Sequence, residues 1–296
     1  MDFQSPTTWA DALAAKAEHP DAVPVSGGTD VMVEINFGHR TPPRLLDLTR
    51  VPELAGWDRD GGWIRLGAGV TYARLISELA GELPGLATAA RTVGSPQIRN
   101  RGTVGGNLGA ASPAGDSHPP LLATGAEVEL ASLHGERRVP VAEFFSGPKR
   151  SVLAGNELIA AVHVPVAEGP QQFCKVGTRN AMVISVTAFA LALHPGSRSV
   201  GAGIGSAAPT PRPATDAAAF LTGELDAQDL WSSGAPLPPE LVTEFGRRVR
   251  EAAAPIDDVR GSAAYRLHAL AVLARRALTW AWDEYRAGGT TTRRAA

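Results

Sequence analysis

Gln97-Ile98-Arg99-Asn100-Arg101-Gly102-Thr103-Val104-Gly105-Gly106-Asn107-Leu108-Gly109-Ala110-Ala111-Ser112-Pro113-Ala114-Gly115-Asp116 sets adjacent glycines behind a threonine hydroxyl. A second element of the same kind, Ser26-Gly27-Gly28-Thr29-Asp30, precedes it far back in the chain. With no Cβ in the way, backbone N–H groups in such loops can turn toward an anion and approach it closely. Two loops converging from distant parts of the chain suit a diphosphate better than a single phosphate, so a dinucleotide is the first ligand to consider. Hydrogen bonds to charged oxygens contribute about 1.5–3 kcal/mol each, so several could hold a diphosphate without a lysine. Neither loop is a G-x-G-x-x-G fingerprint or a Walker A loop. Taken alone, either Gly-Gly pair is a tight turn; the pairing of the two gives the reading its weight.

The bulk properties allow this and exclude other classes. The chain has 296 residues with 44% apolar content, enough for two domains with a substantial core. A net charge of −2 argues against nucleic acid as the main partner. The single cysteine, Cys174, permits no intrachain disulfide and no four-thiolate cluster, and reads as a small buried residue. No apolar run is long enough for a membrane span, and Met1-Asp2-Phe3-Gln4-Ser5-Pro6 lacks a signal-peptide pattern, so a cytoplasmic protein is expected. The seven histidines show no metal-ligand spacing, and His118 reads as structural.

Working outward from the loops, residues 8–18 read as a helix capped by Thr8, and 22–25 as a strand entering the first loop. Residues 31–37 alternate like a strand but follow a phosphate-type loop, which favours a helix. Residues 45–48, 64–67 and 157–165 read as strands, and Thr71 as a helix N-cap. Residues 94–120, rich in glycine, proline and asparagine, read as one long ordered loop. A boundary falls near 167–171, after which 173–175, 184–193 and 201–206 read as strands. Residues 262–282 read as an amphipathic helix.

The run 97–116 resembles the second FAD loop of the flavin subunits of molybdenum hydroxylases, as in bacterial xanthine dehydrogenases and carbon monoxide dehydrogenases. Residues 26–30 resemble their first loop, with Ser26 where alanine is usual. The similarity continues through 148–165, Phe173-Cys174-Lys175-Val176-Gly177-Thr178-Arg179 and Tyr265-Arg266-Leu267-His268, and so covers nearly the whole chain. It implies an α+β fold: a two-part FAD-binding domain of the vanillyl-alcohol-oxidase/PCMH type over 1–168, a smaller C-terminal domain over 172–286, and a flexible tail over 287–296.

Carried onto this sequence, the resemblance implies that FAD is held by Val25, Ser26, Gly27, Gly28, Thr29, Asp30 and Val31 together with Thr103, Val104, Gly105, Gly106 and Asn107. Asp116 would accept hydrogen bonds from ribityl or ribose hydroxyls, Ile159 would pack against the flavin, and Lys175 would lie near the ring and raise its potential. Without the family, Asp116 is a turn residue, Ile159 a core residue and Lys175 a surface lysine. Arg99 and Arg101 are either phosphate-neutralising groups or solvated loop residues. No metal ligand is expected on this chain.

The resemblance further implies two partners, a molybdopterin-binding large subunit and a small subunit with [2Fe–2S] clusters, with electrons leaving to NAD⁺ or another acceptor. Residues 175–181 and 206–211 point toward xanthine dehydrogenase subunits, while carbon monoxide, aldehydes and N-heterocycles stay open as substrates. Two other readings stand beside it: a self-contained FAD oxidoreductase, for which three tyrosines offer no convincing acid–base pair, and a non-catalytic nucleotide-binding module. Bound flavin and co-purifying metal-containing chains discriminate among the three.

Overall fold

The computed structural model describes residues 1–288. Three layers follow one another along the chain. The first contains β1 (Asp2–Gln4), α1 (Trp9–Glu18), β2 (Val23–Val25), α2 (Val31–Asn36) and β3 (Arg44–Asp47); its strands form a parallel sheet in the order β1-β3-β2. Thr8 caps α1 by accepting from the Asp11 N–H at 3.1 Å, as its sequence predicts. The segment after the first glycine loop is a helix despite its alternating pattern. None of its residues is buried, so the alternation carries no packing information.

The second layer comprises β4 (Trp57–Asp60), β5 (Trp63–Gly67), α3 (Tyr72–Glu78), α4 (Pro84–Arg91), α5 (Pro96–Arg99), α6 (Val104–Ala110), α7 (His118–Thr124), β6 (Glu127–Ser132), β7 (Gly135–Pro140), α8 (Val141–Phe144), β8 (Phe145–Gly147), β9 (Arg150–Ser151) and β10 (Leu158–Pro165). Five of these strands form an antiparallel sheet, β4-β5-β10-β6-β7, with β8 and β9 as a separate hairpin. Ile64 and Leu66, Val128 and Leu130, and Val162 and Val164 bury the same face against α1, α3 and α4, as alternate residues of neighbouring strands do.

The expectation of one long loop over 94–120 is corrected here. The stretch holds α5, α6 and the start of α7. Proline occupies the first turn of α5 and of α7, where its missing N–H costs nothing, and Thr103 caps the glycine-rich α6.

The third layer runs from β11 (Gln171–Gly177) through β12 (Ser185–His194), β13 (Ser199–Gly205) and β14 (Arg212–Pro213), an antiparallel sheet in chain order, to α9 (Thr215–Ala227), α10 (Leu230–Ser233), α11 (Pro239–Glu251) and α12 (Ala263–Arg286). Along β12 the side chains divide cleanly. Phe189, Leu191 and Leu193 join the core under the helices, while Ala188, Ala190 and Ala192 meet Ala89 of α4 and Ala123 of α7. Small residues on that second face let α7 lie almost on the backbone of β13. A Cβ on Gly201 would stand 1.8 Å from the Ala123 carbonyl oxygen, and one on Gly203 2.1 Å from that of Pro119. The expected tail over 287–296 lies outside the described residues, except for Ala287 and Gly288, which follow α12 as its C-cap and a turn.

Candidate functional site

The two glycine loops meet. β2 delivers the first loop beside the turn that precedes α6. The Thr103 hydroxyl donates to Ser26 Oγ at 3.3 Å, and a Cβ on Gly27 would stand 2.0 Å from the Arg101 carbonyl oxygen. Such closeness of main chain to main chain admits glycine alone. Thr103 Oγ1 also accepts from the Gly106 N–H at 2.9 Å, fixing the start of α6. Gly105 is packed as tightly on the other side, where a Cβ would lie 2.6 Å from Ala68. Gly28 has φ +74°, in the left-handed region. Val25 ends β2, Asp30 precedes α2, and Val31 begins it.

A cavity of about 140 Å³ opens between these loops. Ser26, Thr71, Asn100, Arg101 and Thr103 line it on one side, and Leu48, Val51 and Ala55 on another. Beside it Asp47 is held below the usual carboxylate range. Burial works against this, but the Thr49 N–H, the Ser5 hydroxyl and the nearby Arg101 charge outweigh it. Arg101 is thus a cation at the cavity wall. Arg99 is not: its guanidinium donates to the carbonyls of Arg91, Val93 and Gly94 and closes the end of α4.

Asn107, the last residue of the second loop, is fixed from beyond α6. Its side-chain oxygen accepts from the Ser117 hydroxyl, and its carbonyl from His118 Nε2 at 3.2 Å. His118 is fully buried, and burial pulls its pKa down to about 4, so it is a neutral donor at ordinary pH. Tyr72, with its hydroxyl 3.5 Å from Ser117 Oγ, is raised far above the normal phenol range by burial.

A second cluster lies one residue before Ser117. Asp116 Oδ2 accepts from Lys175 Nζ at 2.6 Å and from the Thr92 hydroxyl at 3.1 Å, and Oδ1 accepts from the Ser185 hydroxyl at 2.6 Å. The other two protons of Lys175 go to the carbonyls of Thr92 and Val183. The sequence reading gave Asp116 and Lys175 separate duties; the fold joins them in one ion pair across the two halves of the chain. Nothing in the sequence marks Thr92 or Ser185 as part of this cluster. Ser185 is one hydroxyl inside an apolar strand, with no spacing to mark it. Ile159, at a bulge in β10, lies beneath α6, its Cδ1 3.7 Å from where a Cβ on Gly109 would stand.

The donor set fits a diphosphate: two glycine turns packed against each other, with hydroxyls at Ser26 and Thr103 and one cation, Arg101, lining the same cavity. Comparison with known proteins agrees with that chemistry. Residues 1–167 match the FAD-binding domain of molybdopterin dehydrogenases, and residues 172–281 the C-terminal domain of carbon monoxide dehydrogenase flavoproteins. The chain belongs to the FAD-binding subunits of the molybdenum hydroxylases. It is 31% identical over 292 residues to the xanthine dehydrogenase FAD-binding subunit of Escherichia coli O157:H7, covering 94% of this chain and 96% of that one. It is 29% identical over 285 residues to the nicotine 6-hydroxylase medium subunit of Paenarthrobacter nicotinovorans, covering 93% and 95%. Its fold matches a chain of the carbon monoxide dehydrogenase of Hydrogenophaga pseudoflava with a TM-score of 0.87 at 27% identity, over 96% and 97% of the two chains.

The family expectation and the α+β fold with an FAD-binding part followed by a C-terminal part hold, and FAD is the cofactor of the family. Among the described residues, no group of histidine, cysteine and acidic side chains could hold a metal ion, and no helix is long and apolar enough to cross a membrane.

Proposed function

We propose that this chain is the electron-transfer subunit of a molybdenum hydroxylase, working with a molybdopterin-binding large subunit and a small [2Fe–2S] subunit. When bound, FAD supplies a redox ring able to take electrons from the iron–sulfur partner and deliver them to NAD⁺ or another acceptor. The protein's own task is positional. The loops 25–31 and 103–107 bind the diphosphate, Asp116 offers an acceptor to a ribityl or ribose hydroxyl, Ile159 packs under the ring, and Lys175 sets the charge near it. One observation carries the reading: Ser26 and Thr103, far apart in sequence, are hydrogen-bonded to each other and line one cavity.

Purine oxidation is the reaction we favour for the complex, from residues 175–181 and 206–211. Substrate choice falls to the large partner in this reading, and the xanthine and nicotine enzymes among the relatives lie at nearly equal identity. With NAD⁺ as acceptor the complex works in the cytoplasm. The division into domains over 1–168 and 172–286 is part of the same reading.

The test is purification of the chain from its own cells. The expected result is FAD released on denaturation, together with one molybdenum-containing and one iron–sulfur chain. Absence of flavin would reject the reading, as would turnover of an organic substrate by this chain in isolation.

A further inference from the structure

We propose that Ser185, with Lys175, is a positioning residue that aims the open acceptor position on Asp116 Oδ1 at a hydroxyl of the ligand, so that the C-terminal half completes the cofactor site. This rests on the FAD reading above, in which the hydroxyl belongs to the ribityl chain or a ribose.

A carboxylate offers about four lone-pair acceptor sites. Lys175 takes one on Oδ2 and Ser185 one on Oδ1, while Thr92 shares its single proton between Oδ2 at 3.1 Å and the Ala89 carbonyl at 2.7 Å. Among the described residues nothing else bonds to Oδ1, so one position is left there for a ligand. Lys175 is the opposite case. Its three protons go to Asp116, the Thr92 carbonyl and the Val183 carbonyl, so it has none to give a ligand while the cluster stands. Its effect on a bound group passes through its charge and through Asp116.

Two bonds to Oδ2 alone would leave the plane of the carboxylate poorly set, because rotation about a terminal sp³–sp² bond is broad and soft. The Ser185 hydroxyl holds the other oxygen. Ser185 is itself fixed: it is 1% exposed, begins β12, and its carbonyl accepts from Arg260 at 3.3 Å. Arg260 is held by Asp258, which also accepts from the buried Arg266 of α12. Arg266 reaches the same loop by a second route. It donates to the Ser206 carbonyl at 2.7 Å, and the Ser206 N–H donates to the Pro113 carbonyl at 2.8 Å. The long C-terminal helix therefore braces the loop carrying Asp116 from two sides.

The experiment titrates the flavin-stripped full chain with FAD and with FAD analogues that each lack one ribityl or ribose hydroxyl. The wild-type chain is expected to bind one analogue about tenfold more weakly than FAD. Ser185→Ala is expected to weaken FAD by about tenfold and to bind that analogue no more weakly than FAD. Ser185→Thr, which keeps the hydroxyl, should restore both the affinity and the discrimination. Should the alanine variant fail to fold, Ser185→Cys keeps the volume with a weaker donor and must show the same loss of discrimination. Wild-type affinity in the alanine variant, or equal weakening of FAD and every analogue, overturns the proposal while leaving the FAD reading intact. A wild-type chain that binds no FAD overturns the FAD reading, and this proposal with it.

Discussion

Lys175 Nζ lies 2.6 Å from Asp116 Oδ2, and both side chains are almost wholly withdrawn from solvent. The pair joins the loop after α6 to strand β11, so it ties the FAD-binding half of the chain to the C-terminal half at a point next to the second glycine loop. Removing the cation would leave a buried carboxylate with the Ser185 hydroxyl and a Thr92 hydroxyl shared with the Ala89 carbonyl as its donors. Lys175→Met is therefore expected to cost about 3 kcal/mol in stability, measured by urea denaturation. Lys175→Met combined with Asp116→Asn should recover part of that loss, because the uncompensated charge is gone. An unchanged denaturation midpoint in the single variant would show that the pair does not form in solution.

Gly27 and Gly109 test the loop contact against a matched control. A methyl group at Gly27 would collide with a main-chain oxygen at 2.0 Å, and neither backbone can yield without parting the loops. At Gly109 the same methyl group meets only Ile159 Cδ1 at an ordinary 3.7 Å. Gly27→Ala should thus purify with less than about a tenth of the normal FAD, whereas Gly109→Ala keeps it. Visible absorbance relative to protein concentration measures both. Equal flavin content in the two variants would mean that the loops do not hold the diphosphate.

These contacts mark the limit of what the sequence discloses. The glycine loops, the Thr8 and Thr71 caps and the strands carry local signals, and all are found near their expected places. Residues 94–120 mislead because α5 and α6 have only 4 and 7 residues and are built from glycine, proline and polar side chains. Such turns are held by tertiary contacts rather than by propensity. The 13-residue helices α9 and α11 begin at or just after proline-dense stretches, 209–213 and 236–239, whose breaking signal is stronger than the helical one. The pairing of Asp116 with Lys175 and Ser185 depends on how two sheets and a helix dock, and no spacing along the chain encodes a distance of that kind.

His118 gives the chain a specific acid sensitivity. Burial lowers its pKa from 6.5 to about 4 while the unfolded chain keeps the ordinary value. Between those two values the unfolded state holds more protons than the folded one, so stability rises with pH and is lost as pH falls. The full effect is at most about 3 kcal/mol. Carboxylates held below their ordinary range, such as Glu129, lose their contribution only at lower pH. Burial opposes the ionisation of Glu129, but hydrogen bonds from Arg65 and His163 prevail. Denaturation midpoints measured from about pH 6.5 down to 5 should therefore fall in the wild type and stay nearly level in His118→Gln, whose amide can still donate to Asn107. Parallel slopes would place the proton uptake elsewhere.

The docking of α7 on β13 predicts an effect at a distance. Gly203 faces the Pro119 carbonyl oxygen so closely that a Cβ would stand 2.1 Å away. Gly203→Val must push α7 off the sheet. His118 begins that helix, and Ser117 and Asp116 immediately precede it, so the displacement reaches the residues that hold Asn107 and those that meet Lys175. The variant is expected to lose about 3 kcal/mol of stability, as an overpacked core does, and also to bind FAD less tightly, although Gly203 is in neither glycine loop. Gly223→Ala serves as the control: it lies in the third layer too, on α9, and nothing lies within 4 Å of its Cβ position. Full FAD affinity in a destabilised but folded Gly203→Val protein would show that the two halves of the chain bind the cofactor independently.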